Sequence, residues 1–274
     1  MNKVALITGA ARRKGLGQAI AARLASDSYD ILLHDRGTTE GDIAPAHGVG
    51  VNEDLDTTAQ EIRAATGQRV ETVTGDLLDN TAIANIVAAA DTHFGRLDIL
   101  VNNAGVGYLF GPLTETDPAH LDAVIGVNLR APMLLTGHAA NMMIRGGIGG
   151  RVVNIASQAS KSGFAFASAY TASKHGLLGF TRSAALELGK HGITVNAVCP
   201  NHVTTGLGTW QNEYMSKARG ETLDEYMAGM RARIPLGRTG LPEDTANAVA
   251  FLCSEQASYV TGEAMNVSGG EEYH

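Results

Sequence analysis

Cysteine is nearly absent: Cys199 and Cys253 are the only two in 274 residues. They stand far apart without metal-ligand spacing, and a chain of this length can bury a core without staples, which sets aside a disulfide scaffold and a cysteine metal site. A reducing, cytoplasmic setting is the expectation. Long hydrophobic runs are also missing. The run Val4-Ala5-Leu6-Ile7 that follows Met1 is too short for a signal-peptide core, and no stretch approaches a membrane span, so neither export nor a membrane partner is expected. A basic surplus is missing as well: a net charge of -7 and a pI near 5.7 argue against a nucleic-acid partner, which would select a basic face. No repeat of about 20 to 50 residues and no low-complexity linker marks a boundary, so one domain over 1–274 is the simpler division.

What is present is alternation. Val4 to Ile7, Ile31 to Leu33, Val70 to Val73, Ile99 to Val101, Val152 to Ile155 and Thr194 to Val198 are short apolar runs expected as buried strands, each followed by a segment of helical period. Leu16, Ile20 and Leu24 form one stripe of an amphipathic helix after the first strand. Strand and helix repeated in this way predict an α/β fold with a parallel sheet covered on both faces. A last helix is expected to open at Pro242, with Glu243 and Asp244 in its first turn, and Val260 to Val267 supplies a final strand. Gly37 to Asp54, with four glycines and Pro45, is expected as a long loop.

Two segments carry chemistry. The first is the turn Thr8-Gly9-Ala10-Ala11-Arg12-Arg13-Lys14-Gly15-Leu16-Gly17 between the first strand and its helix. Glycines let the backbone approach a pyrophosphate, and the helix N-terminus offers free N–H groups and partial positive charge to hold it. Glycines also end strands for steric reasons alone, but Asp35 at the end of the second strand stands where a carboxylate accepts from adenosine ribose hydroxyls. The plainer alternative for Asp35 is a solvated turn residue. The second segment is Tyr170-Thr171-Ala172-Ser173-Lys174, within an expected helix from about Ser168 to Gly189. A spacing of four puts phenol and ammonium on one helix face, so the cation favours phenolate and draws the tyrosine toward use as a general acid and base. Ser157, just past the strand ending at Ile155, sits at the carboxyl edge of the sheet, where ligands of open α/β folds bind.

Taken in order, Thr8-Gly9 with Gly15 and Gly17, Asp76, Asn102-Asn103-Ala104-Gly105, Asn128, Ser157, Tyr170 with Lys174, and Pro200 with Thr205 resemble the short-chain dehydrogenase/reductase family over nearly the whole chain. The resemblance implies a Rossmann-type, doubly wound sheet of seven parallel strands, a bound NAD or NADP, and a Ser-Tyr-Lys-Asn catalytic set acting on an alcohol or carbonyl. It implies that Tyr170 exchanges the proton, Ser157 holds the substrate oxygen, Lys174 binds the nicotinamide ribose and tunes Tyr170, and Asn128 holds a water that links Lys174 to solvent. It assigns the cofactor to Gly9, Gly15, Leu16, Gly17, Asp35, Asp76, Leu77, Asn103, Ala104, Gly105, Tyr170, Lys174, Pro200, Val203 and Thr205, with Asp76 toward the adenine and Val203 and Thr205 toward the nicotinamide end. It also implies a homotetramer joined through long helices around 117 to 145 and 168 to 190, where Gly176 and Gly179 allow close approach, across a two-fold axis or within the chain.

The chain departs from the family pattern in the glycine turn, which holds two residues more than usual and the basic run Arg12-Arg13-Lys14. It departs also at Asn201, where glycine is common, and in the long 37–54 loop, which covers the adenosine end, meets another subunit, or is a plain surface excursion. His175 points about 100° away from Lys174 and is expected in packing or at the surface. With a tetrad in place, His202 is not needed as a base. Trp210, Tyr214 and Met215 either line a substrate lid over 205–233 or form that lid's own core. Gln158, Asn201, His202, Trp210 and Gln211 suit a small hydroxylated substrate such as a sugar or polyol; secondary alcohols, hydroxysteroids and acyl thioesters stay open. The alternatives are a lyase or epimerase using bound NAD without net turnover, and a non-catalytic redox-sensing binder. An epimerase of this type has a longer C-terminal region, and a binder has no need of Tyr170, Lys174 and Ser157.

Overall fold

Val4–Thr8 (β1), fully buried, is the centre from which the sheet grows in both directions. The computed structural model describes residues 2–38, 52–106 and 111–272, with the side chains at 206, 207, 210 and 211 outside the description. Asp30–Asp35 (β2) and Val70–Thr74 (β3) add on one side of β1; Ile99–Asn102 (β4), Gly150–Ile155 (β5), Ile193–Pro200 (β6) and Ala264–Val267 (β7) add on the other. The order is β3-β2-β1-β4-β5-β6-β7, and each neighbouring pair is parallel. This is the expected doubly wound sheet. Its last strand starts at Ala264 rather than Val260, because Val260 to Glu263 turn into the sheet: Gly262 donates its N–H to Val195 and Glu263 to the side chain of Asn196.

The period of two along β1 divides the core. Ala5 and Ile7 pack with Ile20 and Leu24 of helix α1 (Leu16–Ser26) and with Val249 of α9 (Pro242–Cys253), while Val4 and Leu6 pack with Ile83 and Ile86 of α3 (Asn80–Phe94) and Leu135 of α5 (Ala131–Gly146). Burying each of these valine, leucine and isoleucine side chains contributes roughly 1.5–3 kcal/mol. The last helix opens at Pro242 as predicted. Helix α2 (Asn52–Thr66) begins inside the expected 37–54 loop, so its last three residues are helical; residues 39–51 lie outside the described ones.

Between β4 and β5 the chain runs as α4 (Pro118–Ile125), a wide π-type turn at Gly126–Arg130, and α5, and it returns after β5 as α6 (Ser168–Leu188). Gly176 serves packing within the chain, since a Cβ there would lie 2.8 Å from Leu129; Gly179 faces open space. A buried ladder crosses the middle of the sheet. Asn102 donates to Thr136 at 3.2 Å and to Asn154 at 2.8 Å, and Asn154 donates to Thr181 at 2.9 Å, tying β4 and β5 to α5 and α6. Strand order turns back between β1 and β4, and the carboxyl ends of the strands there carry the residues singled out above. Among the described residues no helix is long and apolar enough to cross a membrane, and no cluster of three or more metal-ligating side chains occurs.

Candidate active site

The glycine turn is held from below. The buried Thr8 hydroxyl accepts from the N–H groups of Asn103 and Ala104, both at 3.1 Å, and Asn103 returns its amide to the carbonyls of Thr8 and Gly9 at 2.8 and 2.9 Å. Gly9 has φ +70° and lies so close to Ala104 that a Cβ would come within 2.7 Å of its Cα; at Gly17 a Cβ would meet the Gly9 carbonyl at 2.3 Å. Both glycines are therefore demanded by the fold's own close approach. Helix α1 starts behind Gly15 with no side-chain cap and no acidic residue in its first turn. An uncapped N-terminus beside a glycine turn has the donors and the partial charge that a pyrophosphate requires, so Gly9, Gly15, Leu16 and Gly17 fit a dinucleotide.

The two arginines of the turn stand against acidic partners. Asp35, 9% exposed, accepts at Oδ2 from the Ala11 N–H and at Oδ1 from the Arg36 N–H, both at 2.8 Å. Arg12 lies beside it: burial lowers the guanidinium's pKa, and the Asp35 charge acts the other way. Arg13 pairs with Glu61 of α2 at 2.8 Å, and Gln18 reaches the other oxygen of the same carboxylate at 3.1 Å. Lys14, at φ +56°, donates its N–H to Gln18. Arg36 stands 3.0 Å from Asp76 in a charge contact without hydrogen-bond alignment, and Asp76 also accepts from the Leu78 N–H at 2.9 Å. Leu77 beside it is buried.

Tyr170 and Lys174 share a face of α6, with Nζ 5.7 Å from the centre of the phenol ring. Lys174 is 4% exposed and donates to the carbonyl of Ile155 at 2.8 Å, and burial pushes its ammonium down to about 8. A Cβ at Gly105 would stand 3.4 Å from Asn128 Oδ1 and 3.9 Å from Lys174 Nζ, which places this glycine beside both side chains. Asn128, on the π-type turn, accepts from the Val106 N–H and donates to the Val106 carbonyl, both at 2.9 Å, and donates to Ser173 at 3.3 Å. Its side chain thus braces the end of the β4 loop against α6. Ser173 in turn donates to the Tyr170 carbonyl at 2.7 Å. Ser157 caps the short turn Gln158–Ser160: its hydroxyl accepts from the Ala159 N–H at 3.1 Å and its N–H donates to Ser160 at 3.2 Å. His175 is exposed, bonded back to Thr171 on its own helix, as its angle on the helix predicts.

Past Pro200 the chain runs toward the segment expected as a lid. Asn201 donates its N–H to Val267, Val203 bridges to Gly240, and Thr205 caps α7 (Gly206–Arg219) by accepting from Gly208 at 3.2 Å. Met215 of α7 packs with Tyr226 and Met230 of α8 (Leu223–Arg233) and with Ile234, so this part of the expected lid is its own small core; Tyr214 is exposed, and the side chains of Trp210 and Gln211 lie outside the described residues. Sequence reasoning missed Glu271 and Glu272. Glu271 accepts from Asn201 at 2.6 Å and meets Arg233 at 3.1 Å and His202 at 3.5 Å, and Glu272 accepts from Gln158. Two glutamates after a glycine pair carry no motif, so nothing local in the sequence marks them.

Compared with known proteins, residues 9–272 match the family model described as enoyl-(acyl carrier protein) reductase. The chain is 35% identical over 269 residues to galactitol 2-dehydrogenase of Agrobacterium fabrum, covering 98% of this chain and 97% of the relative. Among solved structures it is similar to a single-substitution variant of actinorhodin polyketide ketoreductase with NADPH, at TM-score 0.89 and 36% identity over 100% of this chain and 98% of the other. It is similar also to carveol dehydrogenase from Mycobacterium avium in complex with NAD, at TM-score 0.89 and 31% identity over 98% and 97%.

Proposed function

The chain belongs to the short-chain dehydrogenase/reductase family, an NAD(P)-dependent oxidoreductase of CH–OH groups, and from that premise we propose that it interconverts a small hydroxylated secondary alcohol and its ketone through Tyr170, Lys174, Ser157 and Asn128. The observation that carries the reading is the buried Lys174 ammonium beside the Tyr170 ring at the carboxyl edge of the sheet.

Tyr170 exchanges a proton with the substrate oxygen. Its acidity is raised by the Lys174 cation on the same helix face. Ser157 has one lone pair committed to the Ala159 N–H, which leaves its hydroxyl hydrogen to steady the substrate oxygen. Asn128 is a positioning residue that holds Val106 and Ser173, and through Ser173 the backbone of Tyr170. The nicotinamide, when bound, supplies or accepts the hydride. Gly9, Gly15, Leu16 and Gly17 receive the pyrophosphate, with Asp35, Asp76, Leu77, Asn103, Ala104 and Gly105 along the adenosine side. Lys174, Tyr170, Pro200, Val203 and Thr205 serve the nicotinamide side.

A sugar or polyol is the substrate class that the activity named for the galactitol relative supports. The test is a panel of polyols, simple secondary alcohols, hydroxysteroids and acyl thioesters, read by the near-ultraviolet absorbance of reduced nicotinamide; turnover of the polyols at the highest kcat/KM supports the assignment. We place the protein in the cytoplasm as a homotetramer, joined through α4–α5 and α6, where Leu121, Met133 and Leu186 are exposed. Light scattering at micromolar concentration decides the assembly, and a monomer mass would refute it.

A further inference from the structure

The last described residues fold back onto three separate pieces of the site. Ser268 organises the turn: its hydroxyl donates to the Glu272 carbonyl at 2.8 Å and accepts from the Gly270 and Glu272 N–H groups at 3.3 Å. Gly270 takes φ +94° against the Pro235 ring, a backbone conformation that suits glycine alone. The turn thereby delivers two consecutive carboxylates. Glu271, 13% exposed at its side chain, binds Arg233 at the end of α8 through Oε1 and Asn201 through Oε2, with His202 Nε2 3.5 Å from Oε2. Glu272 receives the amide of Gln158, the neighbour of Ser157. A backbone bond from Leu236 to Gly269 at 3.1 Å closes the same contact from the lid side.

We propose that Glu271 is a positioning residue for substrate binding, a carboxylate clasp that holds helix α8 of the lid against the segment after β6. Among the described residues the lid's own core is Tyr226, Met230 and Ile234 with two partly buried methionines, a small apolar surface with which to fix its position. The partly buried carboxylate does so instead, by charge-assisted bonds to Arg233 on one side and Asn201 on the other. Because Asn201 follows Pro200 directly, the clasp sets the distance between lid and cofactor segment, and so the width of the substrate cleft. The cofactor cradle of the glycine turn is not touched by it.

This inference rests on the reading of α7–α8 as a substrate lid, and hydrogen exchange tests the clasp without any substrate. In Glu271→Ala the amides of α8 should exchange about tenfold to a hundredfold faster, the scale of one lost charge-assisted bond, while those of α3 and α9 stay as in the unaltered protein. The KM for the alcohol should rise about tenfold while kcat and the cofactor KM hold within about twofold, and Glu271→Gln, which keeps an acceptor for Asn201, should recover part of the loss. Arg233→Gln should produce the same selective exchange, and the double variant should add nothing further. Unchanged α8 exchange, equal acceleration in all three helices, or additive effects of the two substitutions would overturn the clasp. Failure of alcohol turnover in the unaltered protein would instead count against the oxidoreductase reading and leave the exchange result to decide this one.

Discussion

The ammonium of Lys174 donates to the carbonyl oxygen of Ile155 at 2.8 Å, joining helix α6 to the last residue of β5 through a charge that is almost wholly withdrawn from water. Burial lowers its pKa from 10.5 to about 8. Between those values the unfolded chain holds a proton that the folded chain has released, so stability must rise with pH across that window; below about 8 the burial penalty is present in full. The shift corresponds to ~3 kcal/mol. Thermal unfolding of the natural protein and of Lys174→Met, compared from neutral pH upward, should show the natural protein gaining on the variant as the pH climbs through the window. A constant difference would mean that the ammonium is not buried as described.

Lys174→Met should also impair both cofactor binding and rate, since one ammonium is asked to hold ribose hydroxyls and to tune the phenol. In the unaltered enzyme the alkaline limb of the pH-rate profile should fall below the free tyrosine value of about 10. A limb at or above that value would remove the tuning role.

Gly17→Ala should destabilise the glycine turn, because its Cβ would sit 2.3 Å from the Gly9 carbonyl and 2.7 Å from Asn103 Nδ2, neither of which can retreat without breaking the Thr8–Asn103 contacts. Overpacking of this kind costs about 1–3 kcal/mol. Denaturant titration with a parallel cofactor-binding isotherm should show both losses together; an intact isotherm would show that α1 does not hold the pyrophosphate.

Much of this was legible in short windows. The apolar runs, the stripe Leu16-Ile20-Leu24, the helix opening at Pro242 and the common face of Tyr170 and Lys174 each depend on spacing within one element. What escaped depends on partners distant in sequence. Asp35 meets Ala11 across 24 positions, Arg13 meets Glu61 across 48, and Asn201 meets Glu271 across 70, so neither the sealing of the enlarged turn nor the tail clasp has a local signature. The helical start of α2 inside a glycine-rich stretch escaped for another reason: turn residues upstream of Asn52 masked the stripe Leu55, Ala59 and Ile62, which packs against the core.

NAD should be preferred over NADP by about 1 to 3 kcal/mol, or roughly 5 to 150-fold in kcat/KM. A carboxylate at the end of β2 repels a 2′-phosphate, and three of the basic residues that could attract one already face a carboxylate: Arg13 meets Glu61, Arg36 meets Asp76, and Arg12 lies beside Asp35. Asp35→Ser should narrow the gap, and because Asp35 also accepts from the Ala11 N–H it should loosen the turn. Glu61→Gln, which frees Arg13 without touching Asp35, separates the two effects by shifting preference toward NADP alone. Equal use of both cofactors by the unaltered enzyme would show that the basic turn reaches the ribose.

The account as a whole turns on whether Tyr170 is the proton-exchanging group of a net hydride transfer. Stopped-time assays of the unaltered enzyme and Tyr170→Phe on the preferred polyol, with cofactor binding measured by titration on the same samples, put that question directly. The expected result is stoichiometric formation of reduced nicotinamide and ketone, a rate lower by about 10² to 10⁴-fold in the variant, and cofactor affinity nearly unchanged. Turnover of Tyr170→Phe within about tenfold of the unaltered enzyme, or conversion of the alcohol without accumulation of reduced cofactor, would contradict it.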